Sequence, residues 1–322
     1  MRRLAVLTGG GDAPGMNACT RAVQRTATRS GLEVLAIRDG FEGMIRGRFR
    51  KLERIDVVNI LQRGGTIIGA GRSKDFLTSE GRARAAEQLR EHQVDGLVAI
   101  GGDGTLRGLH ALTMEHGIPI VGVPASIDND IRGTDEAIGF DTAVNTAVEA
   151  VDRLRETADA VGRVFFVEVM GRHCGAIATA AGIAAGAFAV LVPEQHTDLD
   201  ELARRIQRGF QRGRLSSVVV IAEGNEEGGA FAVAEKVGAR MTHEYRVIVL
   251  GHVQRGGSPS ARDRILATRL GAAAVHAILE GGADVMMGEV GGELRLTPIP
   301  EAADPPRQAD LSLVNLLDEV TY

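Results

Sequence analysis

The chain has 322 residues, of which 44% are hydrophobic and 25% charged, and its formal net charge is −5. This length is enough for two α/β domains, each with its own core. The acidic balance argues against broad nucleic-acid binding. The sequence contains no run of about 18 apolar residues, the length that a membrane helix requires. The start of the chain does not resemble a signal peptide. We therefore expect a cytoplasmic protein without a membrane partner. Its two cysteines, Cys19 and Cys174, are expected to be buried residues.

Short runs of aliphatic and β-branched residues recur along the chain, each followed by a turn cluster and a helical pattern. They predict strands at Leu4–Thr8, Val34–Ile37, Gly96–Ile100, Pro119–Val123, Val164–Val169, Ala187–Val192, Ser217–Ile221 and Val247–Leu250. Continuous apolar strands are typical of parallel sheets covered on both faces. The sequence therefore predicts an α/β fold with two Rossmann-like domains, largely parallel sheets and a shared active-site cleft.

No linker or low-complexity stretch divides the chain cleanly. We therefore expect the chain to cross between domains more than once. The larger domain is predicted to comprise residues 1–138 and 253–302. The smaller domain is predicted to comprise residues 139–252 and 303–322.

Glycine, carboxylate and arginine residues follow the predicted strands. These clusters are Gly9–Asp12, Gly101–Thr105, Ser126–Asp130, Met170–Arg172, Glu223–Gly224 and Gly251–Arg255. Ligands of open α/β sheets bind beside the carboxyl ends of the strands. Glycines at such turns also have a purely structural explanation, but the charged residues beside them favour a binding cleft.

The first glycine cluster leads from a strand into a helix, where free backbone N–H groups favour an anion. It is a candidate phosphate site. No Gly-Lys-Ser/Thr sequence occurs, which excludes a Walker A loop, and Pro14 stands where the dinucleotide fingerprint requires glycine.

Three aspartates in the later clusters are candidates for metal binding and proton transfer. Asp103 is placed to hold Mg²⁺, with Gly104 leaving room for a nucleotide phosphate chain; the alternative is a helix cap. Asp128 and Asp130 are two residues apart, so one can bind metal while the other accepts a proton. The alternative there is a surface Asx-turn.

Several basic residues lie beside the glycine turns and are candidates for phosphate binding. They are Arg72, Arg163, Arg172, Arg246 and Arg255, together with His252. The alternative for each arginine is a solvated surface position.

Six ordered motifs resemble those of the 6-phosphofructokinases of bacterial length, nearly from end to end. They are Gly10–Ala18, Arg63–Thr66, Gly101–Thr105, Ile127–Asp130, Val169–Arg172 and Leu250–Pro259. The resemblance implies transfer of a phosphoryl group from MgATP to the 1-hydroxyl of fructose 6-phosphate, the committed step of glycolysis. The larger domain would bind ATP and the smaller one the sugar phosphate.

The resemblance also implies a role for each matching residue. Asp128 would be the general base, Asp130 its partner near the metal, and Ser126 a hydrogen-bond donor to the transferred phosphoryl group. Arg72 and Arg172 would stabilise transition-state charge, and Asp103 would hold Mg²⁺. The ATP site would comprise Gly11, Arg72, Ser73, Gly102, Asp103, Gly104 and Thr105. The sugar-phosphate site would comprise Ser126, Asp128, Arg163, Met170, Gly171, Arg172, Glu223, Arg246, His252 and Arg255.

In this family Arg163 and Arg246 come from a neighbouring subunit of a homotetramer. The resemblance further implies a pocket for an allosteric anion such as phosphoenolpyruvate, lined by Arg21, Arg25, Arg54, Arg155, Gly186, Arg212 and Arg214. Phe188 stands where many members have a carboxylate for the metal of a nucleoside diphosphate. Ser73 replaces an aromatic residue, and Ala125-Ser126 stands where many members have Gly-Thr.

Three alternatives remain at this point. A pyrophosphate-dependent phosphofructokinase usually has aspartate in place of Gly104 and lysine in place of Ala125. NAD and lipid kinases share the Gly101–Thr105 signature but lack the Ile127–Asp130 and His252–Arg255 blocks. A phosphosugar-binding protein without activity would be expected to lose Asp103 or Asp128, and both are present.

Overall fold

The apolar runs of the chain form two β-sheets. The computed structural model describes residues 1–321; Tyr322, the last residue of the smaller predicted domain, lies outside them. Its strands are β1 (Arg3–Gly9), β2 (Glu33–Ile37), β3 (Phe49–Lys51), β4 (Ala70–Gly71), β5 (Gly96–Gly101), β6 (Ile120–Pro124), β7 (Val164–Val169), β8 (Ala189–Leu191), β9 (Ser217–Ala222), β10 (Tyr245–Val249), β11 (Val285–Val290) and β12 (Glu293–Pro298).

Helices occupy most of the connections between these strands. They are α1 (Met16–Arg29), α2 (Gly40–Ile45), α3 (Ser79–Glu91), α4 (Asp103–His116), α5 (Phe140–Val161), α6 (Ala176–Ala184), α7 (Leu199–Gln211), α8 (Gly229–Gly238), α9 (Ala261–Leu279), α10 (Ile299–Ala303) and α11 (Leu311–Thr321). Side chains of Thr78, Asp198 and Ser260 cap α3, α7 and α9 by accepting backbone N–H groups of the first turn.

Each of the eight strands predicted from the sequence overlaps a strand of the structure. The predicted α/β class with largely parallel sheets is therefore confirmed. The sequence analysis missed β3, β4, β11 and β12. The hairpin of β11 and β12 could have been predicted, because the sequence Gly291-Gly292 between them is typical of a tight hairpin turn. Both glycines have positive φ in the structure.

The chain consists of two compact units. The first unit comprises Met1–Ile127, Ile131–Thr142 and Arg255–Pro306; the second comprises Asp128–Asp130, Ala143–Gln254 and the residues from Arg307 onward. The domain limits predicted from the sequence, at residues 138, 252 and 302, differ from these limits by a few residues.

The first unit contains an eight-stranded sheet in the order β12-β11-β6-β5-β1-β2-β3, with β4 paired to β1. Pairing is parallel from β11 to β2, whereas the outer strands β12 and β3 are antiparallel to their neighbours. Strand β5 is buried along its whole length. The parallel order brings the carboxyl ends of β1, β5 and β6 to one edge of the sheet.

The second unit contains a parallel four-stranded sheet in the order β10-β7-β9-β8. Its core joins the sheet to the apolar faces of α7 and α8. Phe166 on β7 is fully buried and meets the ring of Tyr245 edge-on, with ring centroids 5.9 Å apart.

Two structural expectations from composition can be checked directly. Cys19 and Cys174 are both buried free cysteines, as predicted, and burial raises the pKa of Cys174 to about 12. Within residues 1–321, no helix combines the length and apolar character needed to cross a membrane.

Helices α1 and α9 of the first unit pack closely at Gly271. A Cβ atom there would lie 2.8 Å from the carbonyl oxygen of Cys19 and 3.0 Å from the Cβ of Ala22. The backbone of α1 supplies the nearer of these atoms, so a larger residue forces the helices apart.

We predict that Gly271→Val lowers the free energy of unfolding by about 2 kcal/mol, the usual cost of overpacking a core. Ala272→Val is the matched control, because Ala272 is on the same helix and only partly buried. Calorimetry should show a clear fall in Tm for Gly271→Val only. Equal Tm values for the two variants would contradict the role given to this contact.

Candidate functional site

In the first unit, glycines at the carboxyl ends of β1 and β5 make room for Thr105. A Cβ atom at Gly9 would lie 2.7 Å from the Thr105 side chain, and one at Gly101 would lie 2.6 Å from its Oγ1. Thr105 is 3% exposed. The start of α4 is thereby drawn against the two strand ends, with Gly102, Gly104 and Thr105 of the predicted ATP site in one turn.

The amino end of α4 has the features of an anion site. Its N-cap is Gly102, which has no side chain to satisfy the first N–H groups of the helix. A Cβ atom at Gly104 would meet nothing within 4 Å, so the space beside it is open. The Asp103 carboxylate lies in the first turn and accepts a hydrogen bond from Arg107, one turn along α4.

Arg72 and Ser73 follow β4, which pairs with the end of β1 through Gly9 and Gly71. This pairing brings the two residues beside the first glycine loop. Ser73 donates a hydrogen bond of 2.8 Å to the Glu42 carboxylate. Hydrogen bonds from Ser73 and from Arg46 lower the pKa of Glu42. Glu42 is a partner of the predicted site that sequence reasoning missed.

Ser126 follows β6 and lies next to the start of α4. The Cβ of Ser126 is 3.8 Å from the position that a Cβ atom of Gly102 would take. The Ser126 N–H donates to the carbonyl of Ile138 at 3.1 Å. The first unit therefore brings the predicted phosphoryl-binding hydroxyl beside the predicted nucleotide site.

Arg255 also belongs to the first unit, and its guanidinium lies against Gly11. A Cβ atom at Gly11 would overlap the Arg255 Nη1. The Arg255 Nε is buried and has no hydrogen-bond partner within residues 1–321. A glycine is therefore required at position 11 for this arrangement, which joins a residue predicted for ATP to one predicted for the sugar phosphate.

In the second unit, Arg172 is held between Glu223 and Asp128. The Arg172 N–H donates to the Glu223 carboxylate at 2.9 Å, and its Nε lies 3.5 Å from the Asp128 Oδ2. Asp128 is only 4% exposed. Gly171 and Arg172 both have positive φ, so this turn is a tight backbone bend that aims both groups.

The other predicted residues near this turn are fixed by backbone contacts. The Met170 N–H donates to the buried Gln254 side chain at 3.4 Å, two residues after His252. The carbonyl of Asp130 accepts a hydrogen bond from the Arg307 N–H at 2.8 Å. His252 itself is exposed.

Arg163 and Arg246 lie at the opposite end of the same sheet. Arg163 precedes the first residue of β7, whereas Met170 and Arg172 follow its last residue, so six strand residues separate them. At about 3.3 Å per residue, that is about 20 Å. Both arginines pair with Glu244, at 2.8 Å and 3.6 Å. The second unit alone therefore does not bring these arginines to the other sugar-phosphate residues.

The predicted effector residues fall into two groups, one in each unit. In the second unit, Arg155 donates to the carbonyl of Gly186 at 2.9 Å, and the Arg214 guanidinium lies 4.9 Å from the centre of the Phe188 ring. Burial, together with the charge of Arg155, lowers the pKa of Arg214. Arg212 is exposed at the end of α7.

In the first unit, Arg21 and Arg25 are four residues apart on α1 and so share one helix face. The Arg25 Nε is buried with no hydrogen-bond partner in the described part of the chain. Arg54 is exposed after β3. A buried cationic nitrogen without a hydrogen-bond partner, such as the Arg25 Nε, favours an anionic ligand.

Comparison with known proteins identifies the family to which this sequence belongs. Residues 3–278 match the family model described as phosphofructokinase. The chain is 54% identical over 316 residues to the ATP-dependent 6-phosphofructokinase 1 of Thermus thermophilus, covering 98% of each chain. It is 49% identical to the ATP-dependent 6-phosphofructokinase of Thermotoga neapolitana over 316 residues, again 98% of each.

Solved structures of related proteins share the fold. The phosphofructokinase of Saccharomyces cerevisiae superposes with a TM-score of 0.88 at 36% identity, over 99% of this chain and 46% of that one. A pyrophosphate-dependent phosphofructokinase from Marinobacter aquaeolei has a TM-score of 0.84 at 25% identity, over 97% of this chain and 86% of that one. The relatives that match at about half identity are thus named for ATP.

Proposed function

Because the chain belongs to the phosphofructokinase family, we propose that it is an ATP-dependent 6-phosphofructokinase. It transfers the terminal phosphoryl group of ATP to the 1-hydroxyl of fructose 6-phosphate, and the products are fructose 1,6-bisphosphate and ADP. The observation that carries this proposal is the turn that holds the buried Asp128 carboxylate beside Arg172. In-line phosphoryl transfer to an alcohol uses a carboxylate to accept the hydroxyl proton and a cationic group to stabilise the transferred phosphoryl group.

The reaction forms one P–O bond, breaks one P–O bond and moves one proton. Asp128 accepts the proton of the 1-hydroxyl as its oxygen attacks the γ-phosphorus of ATP. The bond from that phosphorus to the bridging oxygen of ADP breaks. Arg172 and Arg72 stabilise the charge on the transferred group, and the Ser126 hydroxyl donates a hydrogen bond to it.

A divalent metal accompanies ATP in kinases, and we propose that here it is Mg²⁺. The residues of the first unit fit such an ion, because Mg²⁺ needs one or two carboxylates and takes its other ligands from phosphates and water. Asp103 would hold it, and Asp130 would act as the electrostatic partner of Asp128. The ion would neutralise phosphate charge.

The nucleotide is held chiefly by backbone groups in this proposal. Gly11, Gly102 and Gly104 let the phosphate chain approach the amino ends of α1 and α4. Thr105, Arg72 and Ser73 complete the ATP site. Glu223, Met170, Gly171, His252 and Arg255 hold fructose 6-phosphate.

We further propose a homotetramer in which Arg163 and Arg246 complete the sugar-phosphate site of a neighbouring subunit. The support is the place of Arg163, about 20 Å from Arg172 along β7, with Arg246 near it on the neighbouring strand β10. A cytoplasmic place in glycolysis follows from the proposed reaction.

An allosteric anion site is the last part of the proposal. Arg21, Arg25 and Arg54 of one subunit would face Arg155, Arg212 and Arg214 of another, beside Gly186. The buried, unpartnered Arg25 Nε and the Arg155 and Arg214 pair support an anionic ligand.

We predict that Asp128→Asn lowers kcat by about 10² to 10⁴, because the amide cannot accept the proton. The KM values for both substrates should change little. Asp152→Asn, on an exposed face of α5, is the control and should keep full activity. A kcat above about half that of the wild type would remove Asp128 from the mechanism.

The donor should be ATP and not pyrophosphate, because Gly104 and Ala125 leave room for the adenosine diphosphate part of the donor. Gly104→Asp should raise the KM for ATP by about tenfold or more, since it places a carboxylate beside the phosphates. Gly104→Asn, of the same size but uncharged, should have a smaller effect. Both variants should fold, as the space is open. Equal kcat/KM for ATP and pyrophosphate in the wild type would overturn this prediction.

Phosphoenolpyruvate should inhibit by favouring a state with low affinity for fructose 6-phosphate, while ADP should activate weakly or not at all. The reason is Phe188, whose ring is 2% exposed beside Arg214 and cannot ligate Mg²⁺. Saturation curves against fructose 6-phosphate with each ligand measure both effects. Strong ADP activation would show that Phe188 is irrelevant, and no response to phosphoenolpyruvate would remove the regulatory site.

A further inference from the structure

A buried carboxylate outside the predicted site joins two helix starts in the first unit. Asp263 is 1% exposed in the first turn of α9. Its Oδ1 accepts the N–H of Gly139 at 2.7 Å, and its Oδ2 accepts the N–H of Thr142 at 2.8 Å as well as the Thr142 hydroxyl. Burial raises the pKa of Asp263, while these hydrogen bonds oppose that change.

This arrangement differs from an ordinary capping box. Ser260 caps α9 by accepting the Asp263 N–H at 3.2 Å, as such a box requires. The carboxylate at this position would ordinarily accept the N–H of Ser260. Here that N–H donates instead to the Thr142 Oγ1 at 3.0 Å. The Asp263 carboxylate is therefore directed to α5.

The peptide group between Ile138 and Gly139 connects Asp263 to Ser126. Its N–H, from Gly139, donates to Asp263, and its carbonyl, from Ile138, accepts the N–H of Ser126 at 3.1 Å. The Ile138 N–H donates to the carbonyl of Pro124 at 3.0 Å, which adds a second tie to the end of β6. One planar peptide group thus links the Asp263 carboxylate to the Ser126 backbone.

We infer that Asp263 is a positioning residue for phosphoryl transfer, which fixes Ser126 through the Ile138–Gly139 peptide group. The inference rests on the proposed function, which gives the Ser126 hydroxyl its role. Asp263 does not contact substrate in this account. Asp263 fixes the position of the Ser126 hydroxyl, which acts mainly in the transition state. Loss of Asp263 should therefore change kcat more than KM.

The central variant is Asp263→Asn. An amide has one acceptor oxygen, so it can serve Gly139 or Thr142 but not both, and its NH₂ group then faces an N–H donor. We expect kcat to fall by about tenfold, with both KM values within about twofold. Asp198→Asn is the matched control, because Asp198 caps α7 in the second unit through two backbone N–H groups. It should leave both Tm and kcat nearly unchanged, because a single oxygen, Oδ1, accepts both N–H groups and asparagine keeps that oxygen.

A double-mutant cycle with Ser126→Ala separates positioning from a general loss of structure. If Asp263 acts through Ser126, Asp263→Asn should lower kcat by less than about twofold once the hydroxyl is absent. If the two effects on kcat multiply instead, Asp263 does not act through Ser126 and the inference fails.

Thr142 provides a second variant in case Asp263→Asn does not fold. Thr142→Val keeps the shape but removes the hydroxyl that joins Asp263 to Ser260, and should lower kcat in the same direction. Thr142→Ser keeps the hydroxyl and should restore most of the lost kcat. Equal kcat for the valine and serine variants would count against the inference.

Amide hydrogen exchange over residues 124–142 gives a readout that needs no activity. Asp263→Asn should increase exchange at Gly139 and Ser126, and Asp198→Asn should not. If the wild type does not phosphorylate fructose 6-phosphate, the proposed function fails, while this readout still tests the connection. If the wild type is active and neither exchange nor kcat responds to Asp263→Asn, the positioning inference alone is wrong.

Discussion

The parallel pairing of β1, β5 and β6 is the constraint on which the first unit's site depends. It puts the residues that follow the three strands at one edge. Gly9 and Gly101 allow this edge to close around Thr105, because any side chain at either position would overlap it. The residues predicted to bind the nucleotide are therefore placed by a buried sheet and by close packing. Loops held in this way need little rearrangement when a phosphate chain binds.

Charge in the second unit is divided between the two ends of β7. At the carboxyl end, Arg172 is balanced by Glu223 and the buried Asp128. At the amino end, Arg163 and Arg246 share one carboxylate, that of Glu244. These outer pairs are solvent-exposed, so they hold the arginines weakly and leave a net positive charge. That charge is unexplained by the single subunit and is what the proposed tetramer would use.

The sequence predicted the features that depend on local pattern. Continuous apolar runs identified eight of the strands, and turn clusters identified the residues at their carboxyl ends. Two-residue and three-residue strands such as β4 and β3 give no periodicity to read, because their pairing is decided by distant neighbours. Family resemblance supplied the roles, but not the approach of Arg255 to Gly11 or the hydrogen bond from Ser73 to Glu42. Both depend on side chains far apart in the chain.

Asp263 shows why such a long-range feature arises. Helix α5 begins after Gly139, whose φ is +101° and which has no side chain to cap the helix. A side chain there is excluded, because a Cβ atom would lie 2.7 Å from that of Ala13 in the first glycine loop. The close approach of that loop thus leaves the start of α5 without its own cap.

An acceptor for the first N–H groups of α5 must come from elsewhere, since buried N–H groups without partners cost about 1 to 3 kcal/mol each. A carboxylate is suited to this place because the amino ends of α5 and α9 both favour negative charge. The close approach of the first glycine loop to the start of α5 and the need for the buried Asp263 carboxylate are therefore two consequences of the same glycine.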